Sequence, residues 1–192
     1  MRPEPAFTDG WWRHAQRRDS PHCDARPPGC AIDLIVLHNI SLPAGQFGTP
    51  YIDALFRGCL DTTADPSFAD LAGLRVSAHF LLRRDGRTVQ YVSCAQRAWH
   101  AGASSHRGRA RCNDFSIGIE LEGSDDCPFE PAQYDTLARL LGALCAHYPI
   151  ADIVGHSDVA PQRKTDPGPC FDWRALRRIG ALPRALFDAH PD

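Results

Sequence analysis

Three prolines fall close together near the C-terminal end, at Pro161, Pro167 and Pro169. Proline fixes φ and has no backbone N–H to donate. The stretch from Gly155 to Trp173, GHSDVAPQRKTDPGPCFDW, therefore continues neither as a helix nor as a central strand. It is expected to be a fixed loop, and it is crowded with polar groups: His156, Lys164 and Asp166. Asp166 precedes Pro167, which biases its backbone toward the extended region. Residues two apart in extended chain share a face, so Lys164 and Asp166 are expected side by side. Lys164 is the only lysine among 21 Lys plus Arg. A chain that writes arginine everywhere else and lysine here asks for a compact ammonium rather than a planar guanidinium.

The other signals divide the chain into an arm and one body. Residues 1–30 show no periodicity and are expected to be an irregular arm, docked through Trp11 and Trp12, on a domain spanning 31–192. At 192 residues the chain suits a single domain with a sizeable core. DLIVLHNI (33–40) has the continuous apolar run of a strand buried on both faces, with His38 near the end where α/β sheets place ligands. Residues 41–77 form a Pro/Gly-rich insertion, with helix-like pieces near 51–59 and 67–73, a natural lid or pocket wall over that strand end. The runs 78–84 and 88–93 flank Asp85-Gly86, a hairpin signal. In SIGIELE (116–122), Ile117, Ile119 and Leu121 take one face, and Ser116, Gly118, Glu120 and Glu122 the other. Gly118 leaves room above the sheet, so Glu120 either reaches into a cavity or faces solvent. A helix is expected over 131–148, opening on Pro131, with Tyr134, Leu137, Leu140, Leu141, Leu144, Cys145 and Tyr148 as its apolar stripe. A short strand at 152–155 delivers His156, and short helices follow at 172–179 and 183–189. The fold class is mixed α/β.

Charge and composition exclude several roles. The net charge is −2 and the arginines are scattered. The densest group, Arg107, Arg109 and Arg111, is too short for a nucleic-acid track. It reads equally as a solvated loop or as a carboxylate-recognition patch. No apolar run approaches the ~20 residues of a membrane span, and the N-terminus lacks the apolar core of a signal peptide. The expected compartment is the cytoplasm. The eight cysteines form no CxxC pair and are read as reduced thiols packing as small hydrophobes, Cys170 included.

His38, His156 and Asp166 are a sufficient protein set for a catalytic zinc with one position left open. Glu120 would move the proton of the attacking water, and Lys164 would stabilise an oxyanion. These residues lie far apart in sequence, and their types alone leave a metal hydrolase as one reading among others. The segments LIVLHNIS (34–41), LRVSAHFLLRRDG (74–86), AWHAG (98–102), RCNDFSIGIELEG (111–123) and GHSDVAPQRKTDPGP (155–169) add a resemblance. From about Gly10 to Trp173 the chain is similar to the zinc N-acetylmuramoyl-L-alanine amidases, and within them to the cytoplasmic 1,6-anhydro-N-acetylmuramyl-L-alanine amidases.

The resemblance implies a central mixed sheet of about five to six strands, flanked by helices on both sides, with the site in a groove at one edge. It implies one zinc held by His38, His156 and Asp166, with a zinc-held water as nucleophile. Many members carry cysteine where Asp166 stands; the anhydro type carries aspartate. Glu120 matches the proton-handling glutamate and Lys164 the transition-state lysine. Asn39, Arg75 and Arg111 match groove positions, and Trp99 offers a stacking wall for sugar or peptide, or else packs in the core. His79 lies in a recurring motif, structural or catalytic. The implied substrate is an anhydro-muramyl peptide of cell-wall recycling, cut between the lactyl group and L-Ala by a monomer with no nucleic-acid or membrane partner. Depletion of that substrate pool is the implied link to β-lactamase induction. Two alternatives stay open: a fragment-binding module without catalysis, and a zinc peptidase acting within the stem peptide.

Overall fold

A computed structural model describes residues 4–180 and 182–190. Its main sheet has six strands: β1 (Gln16–Arg17), β2 (Leu34–Ile40), β3 (Phe80–Leu82), β4 (Thr88–Gln90), β5 (Ser116–Glu122) and β6 (Asp152–Gly155). Their order across the sheet is β6-β2-β5-β3-β4-β1. Strand β2 is parallel to β6 and to β5, and β5 is parallel to β3. Only the β3–β4 pair, the hairpin announced by Asp85-Gly86, is antiparallel. Arg83 and Arg87 close that hairpin through an N–H to carbonyl bond of 2.8 Å, and Gly86 takes the positive φ its turn requires.

Both faces of the sheet are covered, as its mostly parallel pairing demands. On one face Ile35, Leu37, Ile117, Ile119, Leu121 and Ile153 pack against helix α2 (Pro131–His147) and against Leu176 and Phe187 near the C-terminus. Gln133 fixes the helix in place. Its side chain accepts the Glu130 N–H and donates to the carbonyls of Leu82 and Glu122 on two strands. On the other face Leu34, Val36 and Val154 pack against Ala101, Phe115 and Val159. Beside them Leu81 and Val89 pack against Ile52, Leu55 and Phe56 of helix α1 (Tyr51–Phe56) and against Phe68.

One expectation changes and two are sharpened. The arm is not irregular: Phe7–Thr8 pairs with Trp11–Trp12, Gln16–Arg17 joins the sheet edge as β1, and Cys23–Ala25 pairs with Gln96–Ala98. These pairings are two or three residues long, too short to leave a period in the sequence. The polar face of β5 is not solvent-facing, because all seven of its residues are buried under the loops that cross it. The 41–77 insertion is not loose throughout; its apolar residues form much of the second core layer. All eight cysteines are free thiols.

Candidate metal centre

The three parallel strands β6, β2 and β5 end along one edge of the sheet. In register, Glu120 lies opposite His38 and Gly155 opposite Leu37. Paired residues on neighbouring strands point to the same face, so His38 and Glu120 rise side by side. His156 follows β6 as the first residue of the short helix α3 (His156–Val159). The proline loop then folds back. The Ser157 N–H donates to the Asp166 carbonyl at 3.0 Å, which brings the Asp166 side chain over His156. Gly155 has no room for a side chain here; a Cβ would lie 2.7 Å from Pro167 Cδ.

The three side chains converge. His38 Nδ1 and His156 Nδ1 are 2.9 Å apart, and each lies 3.0 Å from Asp166 Oδ2. Both histidines are buried, and the Asp166 side chain is 14% exposed. His156 Nε2 faces the Ala101 carbonyl at 3.2 Å. A carbonyl only accepts, so the proton of the neutral ring sits on Nε2 and the Nδ1 lone pair points at Asp166. A carboxylate oxygen and an imidazole lone pair this close need positive charge between them. Two imidazole nitrogens and one carboxylate oxygen are a zinc donor set, and the three residues fit such an ion.

Electrostatics separates the two carboxylates. Burial opposes the Asp166 charge, but the His156 and His38 rings beside it hold its pKa well below the usual range. Glu120 has no such partner: burial, with the Asp166 charge nearby, pushes its pKa well above the usual range, and the Lys164 ammonium only partly opposes this. Its Oε2 is buried without a hydrogen-bond partner. Burial also holds His38 down to about 4.

Asn39, Lys164 and Asp166 line one groove of about 800 Å³, walled further by Phe47, Asp125 and Asp126. Lys164 is exposed, and its ammonium forms no ion pair among the described residues. Asn39 donates to Asp125 and to the Pro167 carbonyl, bracing the groove floor. The other expected contacts lie elsewhere. Arg75 is exposed on a separate cavity of about 190 Å³ with His22 and Leu55. The Trp99 indole N–H donates to Asp24 and its ring stacks on His22, while Arg111 pairs with Asp114. A second large cavity, about 840 Å³, surrounds Asp53 and Arg83 and contains none of the three converging residues.

Both ring nitrogens of His79 are engaged. Its Nδ1 accepts the Gly118 N–H at 3.0 Å and its Nε2 faces the Gln96 carbonyl at 3.1 Å, so neither nitrogen is free. Two residues were missed in the sequence. His100 stands 3.0 Å from His38 Nε2; its only trace was its place beside Trp99 in AWHAG. Arg26, in the arm, donates to four carbonyls of the loops around the site.

A family model described as N-acetylmuramoyl-L-alanine amidase matches residues 28–169. The chain belongs to that family. This amidase is 58% identical over 175 residues to the 1,6-anhydro-N-acetylmuramyl-L-alanine amidase AmpD of Salmonella typhimurium, spanning 90% of this chain and 94% of that one. The crystal structure of a selenomethionine AmpD derivative matches it with a TM-score of 0.88 at 56% identity, over 90% of this chain and 98% of that one. The Escherichia coli amidase AmiD, solved with anhydro-N-acetylmuramic acid-L-Ala-D-γ-Glu-L-Lys, matches at 32% identity and a TM-score of 0.57, over 91% of this chain and 65% of that one. The amidase is thus of the AmpD type, and the mixed α/β single domain expected from its sequence is the fold it has. Among the described residues no helix is long and apolar enough to cross a membrane.

Proposed function

We propose that this amidase hydrolyses the amide between the lactyl group of 1,6-anhydro-N-acetylmuramic acid and L-Ala of the stem peptide, as a cytoplasmic monomer in peptidoglycan recycling. The observation that carries the reading is the convergence of His38, His156 and Asp166 within 3.0 Å of one another, beside a buried carboxyl with a vacant oxygen. The substrate comes from the likeness to AmpD and AmiD.

His38, His156 and Asp166 would hold one zinc ion. Such an ion supplies Lewis acidity and lowers the pKa of a water toward ~7. Glu120 takes the proton of the attacking water. Its raised pKa makes it a competent acceptor, and it then delivers the proton to the leaving nitrogen of L-Ala. The Lys164 ammonium, on the groove wall, offsets the negative charge that develops on the amide oxygen. Asn39 lines the same groove. Retention of all three metal-binding side chains favours catalysis over fragment binding alone.

Purified protein should contain one zinc and convert an anhydro-muramyl tripeptide to anhydro-muramic acid and a peptide beginning with L-Ala, identified by mass spectrometry. Chelation or His38→Ala should remove both metal and turnover. Undiminished turnover without metal would sink the metal mechanism. Products cut inside the stem peptide would sink the bond assignment.

A further inference from the structure

His38 does not end its hydrogen bonding at the converging site. Its other ring nitrogen, Nε2, lies 3.0 Å from His100 Nδ1, and His100 Nε2 lies 3.2 Å from Ser116 Oγ. The two rings stand nearly perpendicular, at 84° with centroids 5.1 Å apart. For His156 the outer partner is a carbonyl, so its tautomer is forced. For His38 it is not. A hydroxyl and an imidazole can each donate or accept, and the chain of three groups has two self-consistent directions. Run from His38 to His100 to Ser116, it leaves the His38 Nδ1 lone pair facing Asp166. Run the other way, it places a proton on Nδ1, between Asp166 Oδ2 and His156 Nδ1, where a cation would have to sit.

The geometry points to His100 as the positioning residue that selects the first direction: it accepts the His38 Nε2–H, donates its own Nε2–H to Ser116, and so holds His38 in the tautomer that binds metal. Two further observations support a built arrangement. Gly118 is the residue over which the ring lies, and a Cβ there would meet His100 Cγ, Cδ2 and Nδ1 at 2.4–2.6 Å. The space above the sheet expected to admit Glu120 is thus taken by this imidazole. Asn113 Oδ1 accepts the backbone N–H groups of both His100 and Ala101, at 3.2 and 2.8 Å. A single braced turn therefore supplies the outer partner of each histidine: the His100 ring for His38 and the Ala101 carbonyl for His156. Outer partners of this kind fix ring orientation and ligand basicity, and their loss costs about 10–100-fold in metal affinity.

The inference rests on the metal reading above, and its test separates the two. Long-range ¹H–¹⁵N spectra of the imidazoles report the tautomer of His38 with and without zinc, and chelator competition reports affinity. The wild-type protein should carry the His38 proton on Nε2 in both states. His100→Ala should lose that preference and bind zinc about 10–100-fold more weakly. His100→Gln, whose amide oxygen can accept the same proton, should recover most of the affinity. Gly118→Ala, which displaces the ring but removes no polar group, should reproduce the loss with His100 still present. Far-UV circular dichroism identifies any variant that fails to fold; if His100→Ala does, Gly118→Ala and His100→Gln decide. A wild-type His38 protonated on Nδ1, or variants with unchanged affinity and tautomer, would overturn the inference. A wild-type chain that takes up no zinc would overturn the metal reading instead, and the imidazole spectra would still decide the tautomer.

Discussion

At position 120 a carboxyl group stands in the middle of a mostly parallel sheet, buried, with one oxygen that has no partner. Burial and the nearby Asp166 disfavour its charge, and the Lys164 ammonium offsets only part of that cost. The folded chain therefore binds the Glu120 proton more tightly than the unfolded chain does. Its contribution to stability is fully present below the ordinary glutamate pKa of ~4.3 and is lost as pH rises toward the higher folded value. Glu120→Gln should consequently raise the Tm of the metal-free protein at neutral pH, with the advantage closing as pH falls toward ~4. The same variant should lower kcat/KM by about 10²–10⁴-fold. Calorimetry across pH and steady-state kinetics test the two halves, and a variant no more stable than wild type at pH 7 would show that the site already neutralises the charge. Asp166 shows the opposite balance in the same cluster, because two imidazoles repay its burial. A bound divalent cation would draw the Glu120 pKa back down, which brings its proton exchange toward neutral pH.

Among the elements, the 41–77 insertion departs most from its sequence. Its prolines and glycines signal a loop-rich lid, yet Ile52, Leu55, Phe56 and Phe68 are buried in a layer with Leu81, Val89 and Tyr91. Charged and polar anchors add to the packing: Asp53 pairs with Arg18 and Arg83 and accepts from Tyr91, and the Gly48 N–H donates to Glu122. The segment 44–48 is largely exposed and lies against the groove, and much of 57–75 is exposed as well, with Phe68 its buried anchor. Hydrogen exchange should show amides of α1 protected to a degree comparable with β2, while those of Ala44 and Phe47 on the exposed tip exchange rapidly. Fast exchange across the whole insertion would restore the lid. β5, β6 and α2 lie within a residue of their expected bounds because their apolar spacing is a local property. β3 and β4 are shorter than expected because the runs continue into buried loop at Tyr91 and Val92.

Across the whole molecule the arm holds the site together from behind. The Arg26 guanidinium, half-buried, donates to the carbonyls of Cys94, Asn113, Asp114 and Ser116 and lies against His79. Those carbonyls belong to the loops that present Asn113, Ser116 and His100. Arg26→Ala would leave several buried acceptors unpaired, a destabilisation of about 3 kcal/mol. For a chain of this size that corresponds to a fall in Tm of roughly 6–12 °C. Zinc affinity should fall with it, because the bracing of His100 passes through the same loops. A thermal melt and a metal titration on the variant measure both effects; an unchanged Tm would mean that water replaces the guanidinium without penalty.

The sequence by itself determined what depends on near neighbours in the chain: a proline-fixed loop carrying His156, Lys164 and Asp166, a buried strand ending in His38, an alternating strand carrying Glu120, and motifs that identify the family. Only the tertiary structure decided which atoms meet. His38 and Asp166 are separated by 128 residues and His38 and His156 by 118, and their contact follows from the strand order β6-β2-β5, a long-range pairing that leaves no local period. The same holds for His100 over Gly118 and for Arg26 behind the site. Their roles are made by groups 16 to 90 residues away, so nothing in AWHAG or in the arm announces them.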